Sequence, residues 1–331
     1  MVAVSALLFA GCSSTENAPN AGTASLPASS SSTPPTPPTV IAAPAALHVT
    51  TASWHLPEAV SRQVVLPVGP DLLMAGGLVG QDDSTATIWR IDPHTGVATG
   101  DGHLAIAVHD AAGVVLHGRS YIFGGGGSRE FDTVQTLNPN EQATVSGRMP
   151  GARSDLVAAA LGDTAYVFGG YDGDTIAPAV LETTDGATFT PLTDLPVPVR
   201  YPAVAVVGAA AWLFGGERNG AQLDLIQKID LATGHASIAG HMPRPLGHAN
   251  AFVLHGQVYL AGGQTPSVTG DLTNSDLIER VDTDQVTLTP VGHLPAPVHD
   301  AATTVHSDTA YLLGGEDAQR SSAVVEVHLG S

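Results

Sequence analysis

Six Gly-Gly pairs divide most of this 331-residue chain into segments of nearly equal length. They are Gly76-Gly77, Gly124-Gly125, Gly169-Gly170, Gly215-Gly216, Gly262-Gly263 and Gly314-Gly315, and their first glycines stand 48, 45, 46, 47 and 52 residues apart. A period of roughly 20 to 50 residues marks a fold made of repeated copies of one supersecondary unit.

Each pair ends an apolar run of strand type, such as Tyr121-Ile122-Phe123, Tyr166-Val167-Phe168 or Tyr311-Leu312-Leu313. Five of the six runs carry an aromatic residue three positions before the first glycine, and the first run has Leu73 there. A second mark keeps register with the first. Pro57, Pro150, Pro196, Pro243 and Pro295 each stand 19 residues before a glycine pair, and Ala105 takes that place in the second repeat. Between the marks lie small-apolar runs such as Val114-Val115-Leu116 and Val204-Ala205-Val206-Val207, which read as buried inner strands. After each pair a polar loop leads to a third strand, which often ends in a turn such as Ile91-Asp92-Pro93 or Ile229-Asp230, and a fourth strand follows.

This pattern of apolar strand, aromatic, Gly-Gly, aspartate turn and proline-marked exit resembles the kelch repeat over about 280 residues. The resemblance implies an all-β, six-bladed propeller with four antiparallel strands per blade. It departs from the kelch pattern in its tryptophans: only Trp54 lies in a fourth-strand segment, and Trp89 falls in a third strand. A ring must close, because an open propeller exposes sheet edges. The last repeat ends at Val324–Leu329 without a fourth strand, while Ala52–Pro57 precedes the first repeat as a surplus one. The expectation is that this N-terminal segment completes the sixth blade.

The domain order expected is a lipoprotein signal over 1–12, a disordered Ser/Thr/Pro-rich tether over 13–46 and the propeller over 47–331. The apolar run Val2–Ala10 has signal-peptide length and leads into Ala10-Gly11-Cys12, which resembles a lipobox with Cys12 as the lipidated residue. The segment around Ser29-Ser30-Ser31-Ser32 and Pro34-Pro35 lacks the apolar side chains to offset chain entropy. The protein is therefore expected outside the cytoplasmic membrane, extracellular or periplasmic, held there only by its lipid, as a monomer.

Composition narrows the partners. The net charge is −19 and Lys228 is the only lysine, so general binding to nucleic acid is excluded on electrostatic grounds. Cys12 is the only cysteine, which excludes an internal disulfide and a Cys-rich zinc site. It also excludes the tyrosine–cysteine copper centre of galactose oxidase, which some extracellular kelch proteins resemble.

In an antiparallel blade with strands a to d, the b–c and d–a loops share one face. Each d–a loop places one basic or potentially basic residue three to five positions after the mark: Arg62, His109, Arg153, Arg200, His248 and His299. Two readings stand. The six form a cationic ring at the channel mouth for an anionic ligand, or they stitch neighbouring blades together through backbone and through Asp110, Asp155 and Asp300. A channel metal on His109, His248 and His299 is conceivable, but no metal and no cofactor is expected. Thr184–Phe189 looks like a sialidase-type Asp box, a structural turn, and Tyr171-Asp172-Gly173-Asp174 reads as a solvated acidic turn rather than a calcium site.

The functional expectation is a non-catalytic module binding a protein, a carbohydrate or an anion. The alternative is a sugar mutarotase or epimerase, since one kelch class isomerises sialic acid in the periplasm. Glu217 and Glu316, directly after glycine pairs, are the acid–base candidates.

Overall fold

The computed structural model describes residues 46–137 and 142–330. Cys12, the signal segment and all but the last residue of the 13–46 segment lie outside them. Among the described residues the fold is all-β: six four-stranded antiparallel sheets arranged in a ring.

In order a to d, blade one is Val64–Val68, Asp71–Ala75, Thr87–Ile91 and Ala98–His103. Blade two is Ala112–Leu116, Arg119–Phe123, Thr133–Leu137 and Thr144–Arg148. Blade three is Ser154–Leu161, Thr164–Tyr171, Ala179–Thr183 and Thr190–Asp194. Blade four is Ala203–Val207, Ala210–Phe214, Leu225–Asp230 and Ala236–His241. Blade five is Asn250–Leu254, Gln257–Ala261, Leu277–Asp282 and Thr287–His293. Blade six is Ala302–His306, Thr309–Leu313, Val324–Leu329 and Leu47–Thr51.

The a strands line the central channel, and each neighbours the next around the ring. Small side chains there (Ala112, Gly113, Ala203, Ala251) let six strands approach one axis. The b strands carry the largest buried side chains, including Phe123, Phe168 and Phe214, which fill the space between blades. Two-residue turns join a to b on the far face. His117-Gly118 and His255-Gly256 both have positive φ at the two central positions, as a type I′ hairpin requires.

The N-terminal strand does close the ring, one segment earlier than expected. Leu47–Thr51 pairs with Val324–Leu329, from Leu47 opposite Leu329 to Thr51 opposite Val325. The ladder then reaches the start of its partner, so Ala52–Pro57 runs on as an exit segment. Its amides at Ala52 and Leu56 donate to Val324 and Ser322, both at 2.8 Å. Trp54 is buried in the core between blades six and one, against Gly96, where a Cβ would lie 2.2 Å from the Trp54 side chain.

The glycine pairs join one blade to the next. Every first glycine has φ between 58° and 69°, and every second between 90° and 105°. The second amide donates to the carbonyl three residues after the proline mark: Gly77 to Val108, Gly125 to Arg153, Gly170 to Val199, Gly216 to Leu246, Gly263 to Val298 and Gly315 to Val60. A Cβ on the first glycine would collide with the same carbonyl oxygen, at 1.9 Å in the case of Gly215 and Leu246.

Candidate functional site at the channel mouth

Counted from the proline mark, the six basic residues expected at the mouth fall into three registers. The third position after the mark belongs to the core: Val60, Val108, Val199 and Leu246 are buried there, and Val298 is partly buried. Arg153 occupies this place in blade three and is also buried, 5% exposed. Its Nη1 donates to the carbonyls of Gly169 (3.2 Å) and Ala179 (2.8 Å), and burial pulls its pKa down to about 10. Arg153 therefore stitches its own blade and takes no part in the mouth.

The fourth position pairs with the residue that follows the glycine pair. Ser61 bridges Leu78, His109 bridges Gly126, Arg200 bridges Glu217, Gly247 bridges Gln264 and His299 bridges Glu316. This pairing brings Glu217 and Glu316 to the same rim as Arg200 and His299. His109 points toward blade one, with its Nδ1 2.8 Å from the Ser84 hydroxyl, and burial followed by the nearby Arg62 charge lowers its pKa.

The fifth position lines the mouth itself: Arg62, Asp110, Asp155, Tyr201, His248 and Asp300. All six have φ between 50° and 58°, and none is glycine. Each amide donates to the carbonyl of the equivalent residue one blade back, at 2.9 to 3.2 Å, so the six backbone bonds form an unbroken ring.

Their side chains converge. The Arg62 guanidinium reaches Asp110 Oδ2 (3.0 Å), Asp300 Oδ2 (3.0 Å) and the Tyr201 hydroxyl (3.1 Å). Tyr201 donates to Asp110 Oδ2 at 3.3 Å. Arg200 ion-pairs with Asp155 at 2.9 Å, lies over the rings of Tyr171 and Tyr201, and sits 3.9 Å from Glu217. His248 stacks on Tyr201 with ring centroids 3.9 Å apart. Its Nδ1 is 2.8 Å from Asp300 Oδ1 and its Nε2 is 3.6 Å from Glu217 Oε2. His299 Nδ1 is 2.9 Å from Asp300 Oδ2, and the Ser61 hydroxyl donates to Glu316.

The expected cationic ring is thus a mixed one. Asp110, Asp155, Glu217, Asp300 and Glu316 outnumber Arg62 and Arg200, and both guanidiniums are already ion-paired. Burial pushes the Asp110 carboxyl up to about 7, against the pull of Arg62 and with the help of Asp155 and Asp300. Burial also raises Asp155, with Arg200 opposing. Burial alone would lower His248, but its hydrogen bond to Asp300 and the Glu217 carboxylate nearby hold it up at about 9. The same contact with His248 keeps Glu217 below the usual glutamate range, so Glu217 is a poor proton donor at neutral pH.

The mouth opens into a cavity of about 120 Å³, which shares lining residues with a 260 Å³ space farther down the channel. Beside it a groove of about 440 Å³ runs between the blade-three and blade-four loops, lined by Tyr171, Ile176, Pro198, Arg200, Glu217 and Asn219. Arg200 and Glu217 belong to both groove and mouth cluster.

Among proteins of known sequence and structure, no family profile matches the chain. The Kelch-like protein terF of Aspergillus terreus is 31% identical over 128 residues, which is 35% of this chain and 28% of terF. Beta-scruin of Limulus polyphemus is 22% identical over 241 residues, 66% of this chain and 26% of the scruin. The chain therefore spans about a quarter of the length of either relative. The solved structure of YjhT superposes with a TM-score of 0.72 at 15% identity, over 83% of this chain and 98% of that one. The fold is a six-bladed β-propeller.

In this propeller the other sequence motifs serve turns. Asp185 of the Asp-box-like segment accepts the amides of Ala187 (2.8 Å) and Thr188 (2.7 Å), and Asp92, Asp230 and Asp282 cap equivalent turns. Asp172 likewise accepts the amides of Asp174 and Thr175. His241 and His293 on outer strands pair with Asp224 and Asp276 and are exposed. Tyr201 is the mouth residue that basic-residue counting missed. The signal available for it was the constant offset of five from the proline mark.

Proposed function

We propose that this kelch propeller is a non-catalytic binding module that takes a protein segment or a carbohydrate at the loop-face mouth of its channel. The observation that carries the reading is the ring of six non-glycine residues at positive φ. Left-handed backbone costs a side-chain-bearing residue on the order of 1–2 kcal/mol, less for Asp, and glycine would remove that cost. Arg62 and Tyr201 are bulky, and the chain keeps them there all the same. What these positions hold is a set of polar side chains converging on a concave mouth beside a groove, and such convergent polar groups are what orient a bound ligand. The excess of carboxylates favours hydroxyl-rich or basic ligand groups over the anion expected from sequence.

The test is a thermal-shift screen of neutral sugars, sugar acids and short acidic and basic peptides on the full chain, on Arg200→Ala and on Tyr171→Ala. A ligand should raise the wild-type melting temperature by linkage and lose that effect in both variants. Stabilisation that survives both substitutions places the ligand elsewhere and overturns the reading.

One observation favours the enzymatic alternative. Asp110, with its carboxyl at about 7, sits 3.3 Å from the Tyr201 hydroxyl and lines the mouth cavity, so it suits proton transfer better than Glu217 does. Polarimetry of freshly dissolved aldoses and sugar acids tests this. Accelerated mutarotation that vanishes in Asp110→Asn supports catalysis, and no acceleration by the wild type removes it.

The reading keeps the module outside the cytoplasmic membrane, a monomer anchored through Cys12. The Ala10-Gly11-Cys12 motif supports this. Cys12→Ser should move the protein from the membrane fraction to the soluble one, and unchanged fractionation overturns the anchor.

A further inference from the structure

We infer that His248, His299 and Asp300 form a binding site for one divalent transition cation of the Zn²⁺ or Co²⁺ class on the blade-five to blade-six side of the mouth. Two imidazoles and a carboxylate offer ligand atoms that all lie within 4.8 Å of one another. His248 Nδ1 stands 2.8 Å from Asp300 Oδ1, and His299 Nδ1 stands 2.9 Å from Asp300 Oδ2. Tetrahedral ligand atoms held at about 2.0–2.2 Å from a metal stand roughly 3.3–3.6 Å apart, so the two N···O contacts need to open by only about half an ångström to admit the ion. The two rings meet edge to face with centroids 6.0 Å apart, so their nitrogens approach the carboxylate from different sides.

The surroundings match a metal centre in three further ways. The first is outer support. A histidine that ligates through one nitrogen commonly gives its other N–H to a carboxylate, and Glu217 Oε2 lies 3.6 Å from His248 Nε2. The second is rigidity. His248 and Asp300 are successive members of the backbone ring, joined by the Asp300 amide to the His248 carbonyl at 3.2 Å, and His299 is pinned by its bridge to Glu316. The third is charge. Arg62 touches Asp300, and the carboxylates of Asp300, Glu217 and Glu316 on this side of the mouth outnumber its single guanidinium. The cation takes the place of the hydrogens in the two Nδ1···Oδ contacts, and the displaced protons pass to solvent. Imidazole and carboxylate together suit Zn²⁺ or Co²⁺ better than Ca²⁺ or Mg²⁺. No metal was expected from sequence, and the trio that was conceivable there is not the one assembled: His109 faces Ser84, and Asp300 supplies the remaining ligand.

The experiment uses the full chain without an affinity tag, stripped with a chelator and dialysed. Zn²⁺ binding is measured by titration calorimetry, and Co²⁺ by its visible ligand-field bands. One equivalent should bind, with Co²⁺ bands typical of nitrogen and oxygen donors. His299→Ala should weaken Zn²⁺ by at least about tenfold, and Glu217→Gln, which leaves all three ligands in place, by about tenfold. His293→Ala, which removes an exposed histidine paired with Asp276, should leave the affinity unchanged. Circular dichroism checks each fold, and Glu217→Gln carries the test if His299→Ala does not fold. No stoichiometric binding by the wild type overturns the site. So does wild-type affinity in His299→Ala, or in Glu217→Gln where that variant carries the test, or a loss in His293→Ala equal to theirs.

Discussion

The amide of Arg62 donates to the carbonyl of Asp300 at 3.0 Å, and this bond joins the first repeat to the last. It is the sixth bond of a ring whose other five run from each repeat to the one before it. The propeller is therefore closed twice: at its outer rim by the strand Leu47–Thr51, and at its channel mouth by the backbone of the residues proposed to meet the ligand.

The outer closure predicts the effect of truncation. A chain beginning at Ala46 keeps the strand opposite Val324–Leu329, and a chain beginning at Ala52 leaves that edge bare. Loss of about 2–3 kcal/mol should lower the melting temperature of the shorter chain by roughly 5–10 °C relative to the longer one. Equal melting temperatures by calorimetry would refute closure by this strand.

Arg153 is the clearest purely structural arginine. Arg153→Ala strands the buried carbonyls of Gly169 and Ala179 and should cost about 1–3 kcal/mol in denaturant unfolding. It should leave ligand-induced stabilisation unchanged. A loss of ligand response without loss of stability would move Arg153 back to the mouth.

The glycine pairs can be tested against an internal control. Gly208 and Gly215 have nearly the same φ, 59° and 58°. A Cβ on Gly208 meets nothing within 4 Å, while one on Gly215 meets the Leu246 carbonyl oxygen at 1.9 Å. Gly208→Ala should cost only the backbone strain, roughly 1 kcal/mol, and Gly215→Ala clearly more. Equal losses would mean that the glycine pair is not the contact between blades.

Asp110 gives the stability of the protein a definite pH dependence. Its folded carboxyl titrates near 7 and an unfolded aspartate near about 3.9. The folded state thus binds the extra proton between those values, so this group's contribution to stability falls as pH rises from about 4 to 7 and then levels off. Asp110→Asn should remove that part of the decline. Unfolding free energies measured at pH 5 and pH 8 that drop equally in wild type and variant would show that Asp110 is not held protonated.

The fold was legible in the sequence because each blade repeats the same two requirements: a glycine pair where a carbonyl passes too close for any Cβ, and a proline mark at a fixed distance before it. The closing strand was misplaced because Ala52–Pro57 carries the proline mark and a tryptophan, whereas Leu47–Thr51 carries neither and is recognisable mainly by its partner strand. The mouth was half legible. Basic residues were counted in a window of three positions, yet one position of shift changes their fate. Arg153 goes into the core, Arg200 to the rim, and Arg62 into the ring. Side-chain type was the wrong index. The backbone position was the right one, and it admits Arg62, Tyr201 and His248 as readily as three aspartates.

The central claim is that the mouth bounded by this ring is where the protein meets its ligand. Its most direct test is crystallography of the full-length propeller after soaking with a set of monosaccharides, sugar acids and short peptides. The expected result is density in the mouth or the adjoining groove, within hydrogen-bonding distance of at least two of Arg62, Arg200, Tyr201 and Glu217. Fragments that bind only on the far face or the outer strands, with the mouth left to solvent, would contradict it.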